Sequence, residues 1–119
     1  MTTREPVDRS PLTANLIVTT TLPTESAAQR IAEAAVGQRL AACAQVQSPI
    51  RSTFRWQGAV DHSTEWYCHF KTTRERLPAL EAMIIEMHPY DVPEIIGVPI
   101  VGGSAAYLTW VEEQVKNEK

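Results

Sequence analysis

His88 opens the run His88-Pro89-Tyr90-Asp91-Val92-Pro93-Glu94, which brings an imidazole, a phenol and two carboxylates close together in the chain. A neutral imidazole with one or two carboxylates is a donor set for Cu²⁺ or Zn²⁺. His88, Asp91 and Glu94 are therefore the candidate metal ligands. A structural role competes for His88, which would end a helix and could cap its last carbonyls. His62 falls in a turn. His69 alternates with Tyr67 and Lys71, and no H-x-H or H-x₃-H spacing joins the three histidines into a metal motif. Cys43 follows two alanines, and Cys68 shares a strand face with Trp66 and Phe70. Both read as small packed hydrophobes and free thiols rather than nucleophiles.

These residues need elements to hold them. Leu16 to Thr21 is apolar and β-branched, a first strand. Thr24 can cap a helix over residues 24–38, in which Ala27, Ile31 and Ala34/Ala35 recur at helical spacing. Ala41 to Val46 is a second strand of small residues. Arg51 to Gln57 alternates, with Ser52, Phe54 and Trp56 on one face, and Gly58 ends it. A turn through Asp61-His62-Ser63 leads to a fourth strand, with Trp66, Cys68 and Phe70 opposite Tyr67, His69 and Lys71. Thr72 and Glu75 have the spacing of a capping box. The helix after them carries Leu77, Leu80, Ile84 and Met87, with Pro78 tolerable only in its first turn. Pro93 to Val101 is a fifth strand, apolar on both faces, whose Pro99 demands an edge or a bulge. Ser104 caps a last helix with Leu108, Val111 and Val115 on one side. The order β-α-β-β-α-β-α is an α+β, ferredoxin-like arrangement, whose helices cover one face of the sheet. Because the fifth strand is apolar on both faces, the other face calls for cover, and a second copy of the chain is the simplest cover.

The chain has 119 residues, 44% of them hydrophobic, enough for one domain with a core that needs neither disulfide nor structural metal. Residues 1–14 read as a loose tail and 15–119 as the domain. The net charge is −3, without a basic stripe, which speaks against nucleic acid and against an anionic membrane as partner. The first residues carry charges and prolines where a signal peptide needs an apolar run, and the expected address is the cytoplasm. The turn Thr20-Thr21-Leu22-Pro23-Thr24 lacks the arginine and glycine of an acylphosphatase-like anion cradle. There is no G-x-S-x-G, P-loop or C-x-x-C, so no enzyme motif is present.

Arg39-Leu40-Ala41-Ala42-Cys43, Phe54-Arg55-Trp56-Gln57-Gly58, Glu65 with Lys71-Thr72, His88-Pro89-Tyr90-Asp91-Val92-Pro93-Glu94-Ile95 and Tyr107-Leu108-Thr109-Trp110 follow one another in an order that resembles the CutA family over residues 15–115. The resemblance implies a ferredoxin-like subunit, a homotrimer similar in plan to PII signalling trimers, and a link to tolerance of copper and other divalent cations without catalysis. It requires no cofactor, leaving Cu²⁺ or another divalent cation as the ion and the chain itself as partner. A PII-like trimeric sensor of small molecules, or a scaffold for another protein, is the alternative. Among the positions that match the family, Trp56, Glu65, Lys71, Tyr90, Tyr107 and Trp110 join aromatics to a few charges, as residues lining an intersubunit cleft do, and they equally suit interface packing. Thr20 stands where some members carry a cysteine linked to metal binding, and Met87-His88 where some carry paired histidines.

Overall fold

The computed structural model describes residues 14–117. The expected tail, apart from Ala14, lies outside them. The elements are β1 (Asn15–Leu22), α1 (Glu25–Gly37), β2 (Cys43–Val46), β3 (Ile50–Trp56), β4 (Ala59–Thr73), α2 (Leu77–Met87), β5 (Ile96–Pro99) and α3 (Ala105–Gln114). The sheet runs β2-β4-β1-β5, all neighbours antiparallel, and β3 pairs with the outer half of β4. This is the ferredoxin-like order, in which the last strand borders the first.

β1 places Leu16, Val18, Thr20 and Leu22 on one face of the sheet. The core forms there with Cys68 and Phe70 of β4, Ala28, Ile31 and Ala35 of α1, and Leu80 and Ile84 of α2. The small residues of α1 let that helix approach closely, and the Thr24 hydroxyl accepts from the Ala27 N–H as an N-cap. α3 lies on the opposite face, at one end of the sheet. There Val111 and Val115 close over Ala42, and Asn15 donates from Nδ2 to the Leu108 carbonyl. The Ser104 cap of α3 is present, its hydroxyl accepting from Tyr107 N.

Four local expectations are corrected. The hairpin turns at Gln57-Gly58, both with positive φ (50° and 81°), so Asp61, His62 and Ser63 belong to β4. Two left-handed residues between Trp56 and Ala59 twist in the sense of the strands they join, which suits a two-residue hairpin loop. Thr72 is no cap: β4 continues through Thr73 because Asn15 pairs with it, and the Thr72 hydroxyl donates to the Leu40 carbonyl at 2.6 Å. Helix α2 starts instead at Leu77 with no side-chain cap and Pro78 in its first turn. Met87 faces outward, and Met83 takes its place in the core beside Leu80 and Ile84. The fifth strand is shorter than expected, four residues of which all are exposed.

The β3–β4 hairpin projects from the body, stretching the molecule to 62 × 34 × 23 Å. Phe54, Trp56 and Val60 are exposed along this arm, and Ile96 and Val98 are about half exposed on β5. Among the described residues no helix is long and apolar enough to cross a membrane.

Candidate functional site

Helix α2 ends at Met87, and His88 leaves it in extended backbone with its ring turned back under the sheet. The residue is 8% exposed. Its Nε2–H donates to the Thr21 carbonyl at 2.8 Å, because a carbonyl can only accept. That fixes Nδ1 as the acceptor for the Tyr90 N–H at 3.1 Å. His88 therefore does not cap the carbonyls of α2 but pins the end of α2 to β1. Burial lowers its pKa, and the Thr21 bond and the charge of Glu65 oppose that shift.

Pro89 holds the next turn, and Tyr90 stacks obliquely on His88 with ring centroids 4.9 Å apart. The Tyr90 hydroxyl donates to Glu65 Oε2 at 2.8 Å. Burial pushes the phenol up to about 12, helped by the bond to Glu65 and its charge. Glu65 is only 7% exposed. It sits where β4 passes from the arm into the body, since Glu65 is the last residue paired with β3 and Trp66 the first paired with β1. His88 and Tyr90, from the turn after α2, and Glu65 of β4 thus form one connected cluster.

Asp91 and Glu94 lie on the exposed stretch after Tyr90. The expected set of His88, Asp91 and Glu94 is not gathered as a ligand group, and both ring nitrogens of His88 are taken up by backbone. Among the described residues no group of three or more His, Cys, Asp or Glu is placed to hold a metal ion. Thr20 is fully buried on the helix side, where its hydroxyl finds no partner.

The cleft residues separate within one chain. Glu65 and Lys71 are six residues apart on β4, about 20 Å along an extended strand. Trp56, opposite Ala59, lies a similar distance the other way and is 61% exposed. Lys71 Nζ donates to Gln45 Oε1 on β2. Tyr107 hydrogen-bonds Cys43 Sγ at 3.3 Å, which with burial pushes its phenol up to about 12, and its ring lies 5.6 Å from Trp110. Cys43 is thus half-buried and polar in its contact, whereas Cys68 is sealed in the core, its thiol pushed up to about 12 by burial.

A polar ladder on the second sheet face went unrecognised in the sequence. His69 Nδ1 accepts from the Thr19 hydroxyl at 2.9 Å and Nε2–H donates to Gln47 Oε1 at 2.7 Å. Burial, then the charge of Lys71, lowers the His69 pKa. The signal was the pairing of Thr19 with His69 across β1 and β4, which only the register reveals. His62 is exposed and bonded to Thr53 Oγ1 at 3.0 Å.

The model of the CutA1 divalent ion tolerance protein family matches residues 16–114. The chain belongs to this family. It is 41% identical over 97 residues to the divalent-cation tolerance protein CutA of Thermus thermophilus, covering 82% of this chain and 94% of that protein. It is 35% identical to the chloroplastic protein CutA of Arabidopsis thaliana over 87% of this chain, yet spans only 57% of that longer protein. The crystal structure of CutA1 from Oryza sativa superposes with a TM-score of 0.86 at 33% identity, over 92% of this chain and all of the other. The CutA1 match includes the HPY turn, the Glu65 junction and the exposed arm.

Proposed function

We propose that this chain is a homotrimeric divalent-cation tolerance protein that acts by binding and assembly, without catalysis, and that copper is the ion to which it responds. The family match over residues 16–114 carries the tolerance reading. Support for assembly comes from the half-exposed Ile96 and Val98 on an edge strand and from the bare apolar arm, surfaces that a soluble chain normally covers. The site chemistry adds a constraint. His88 has both nitrogens committed to backbone groups, so an ion at His88 must first displace the Tyr90 N–H from Nδ1. Copper binding through His88 is accordingly weak, because Asp91 and Glu94 are not gathered beside it as oxygen donors. Cu²⁺ exceeds Zn²⁺ in the usual affinity order.

Calorimetric titration of the purified protein with Cu²⁺ and Zn²⁺, paired with copper sensitivity of cells lacking the gene, tests the proposal. Restored copper tolerance on re-expression supports it. Unaltered copper sensitivity with and without the protein contradicts it. The sensor reading is favoured by one observation, the buried Glu65–Tyr90 pair at the base of the arm, which is polar machinery that a plain packing role does not require.

A further inference from the structure

A carboxylate taken out of water is costly unless it meets a cation or several donors. Glu65 is more than nine-tenths buried, and among the described residues its one donor is the Tyr90 hydroxyl on Oε2. A carboxylate accepts about four hydrogen bonds, so Oε1 has room for a further donor. His88 is close enough to feel its charge, yet spends its N–H on Thr21. Lys71 lies six residues along the strand and donates to Gln45.

We propose that Glu65, held by Tyr90, is a receptor for one cationic nitrogen, an ammonium or guanidinium, that comes from outside this chain. The donor set distinguishes this from a metal site. The phenol is held protonated and points its hydrogen at the carboxylate, so it serves as a second-oxygen clamp and not as a ligand. One carboxylate alone does not make a cage for a divalent ion, and no third His, Cys, Asp or Glu joins it among the described residues. An N–H donor suits the remaining oxygen better, because charge-assisted N⁺–H···O⁻ bonds are strong and need only one or two acceptors. The tilted rings of Tyr90 and His88 stand beside the carboxylate and add an aromatic wall, the usual company of a bound organic cation. Glu65 lies at the arm junction, so the nitrogen arrives either on a side chain of another copy or on a free small amine. The site requires no copper, and a failed amine titration leaves the tolerance reading standing.

The test follows the ¹³C carboxyl resonance of Glu65 in the glutamate-labelled full chain at pH 7. The resonance is assigned with Glu65→Gln, which keeps an acceptor for Tyr90 while removing the charge. A saturable shift with millimolar n-butylammonium or methylguanidinium, beyond an equal concentration of NaCl, identifies a free amine. Tyr90→Phe should then weaken binding several-fold. An ionised Glu65 with no response to amine, together with at least tenfold weaker self-association of Glu65→Gln in sedimentation, identifies a side chain of another copy. A carboxyl that is protonated at pH 7 overturns the proposal. So does a response to Mg²⁺ or Cu²⁺ but not to amine, or no response with unchanged association in Glu65→Gln.

Discussion

The bond from Tyr90 N–H to His88 Nδ1 works only while the imidazole is neutral, since a protonated Nδ1 would face another N–H. Burial disfavours the charged ring as well, so the folded protein binds a proton at His88 less readily than the unfolded chain does. Stability is full above the unfolded value of about 6.5 and declines as pH falls from there towards the lower folded value. His69, also lowered, adds in the same direction. Urea unfolding between pH 7.5 and 5 should show that decline, and His88→Gln should make it shallower. An identical slope in the variant would contradict the neutral lock. Thr20 offers a second test at this scale. Its buried hydroxyl has no partner, and an unsatisfied buried group costs about 1–3 kcal/mol. Thr20→Val, nearly the same shape, should raise stability by about 1 kcal/mol in the same assay, and a loss of that size would mean the hydroxyl is satisfied.

Individual elements were readable where periodicity had a single cause. The apolar β1, the Thr24 cap of α1 and the Ser104 cap of α3 stand as the sequence predicts. The fold order followed from them. What the sequence did not reveal came from partners distant in the chain. Thr72 and Glu75 have capping-box spacing, but Asn15 draws Thr73 into the sheet and helix α2 starts later. Asp61-His62-Ser63 has turn composition, yet Gln57-Gly58 already makes the turn, and the three residues pair with Phe54, Thr53 and Ser52. His88 sits in a motif rich in metal donors, and its actual partner is a backbone carbonyl that no side-chain pattern announces. The hairpin supplies a test. Gly58 has φ 81° with open space where a Cβ would go, so Gly58→Ala meets backbone strain alone. It should cost about 1–2 kcal/mol, read from the shift in urea midpoint. No change would mean that the arm adopts another turn.

At the scale of the molecule, the core occupies one side of the sheet and α3 shields one end of the other, while the arm and β5 remain bare. Folding linked to assembly makes the melting temperature rise with protein concentration, and a scan over a hundredfold range should show it. A charge placed at Val98, half exposed here and buried in the proposed assembly, should dissociate the protein without unfolding the subunit. Circular dichroism of Val98→Asp would then remain native while its mass falls. The most direct test of the account is sedimentation equilibrium of the native chain at micromolar concentration. A homotrimer gives three times the 13.2 kDa chain mass, and a stable 13.2 kDa species would contradict the proposed assembly.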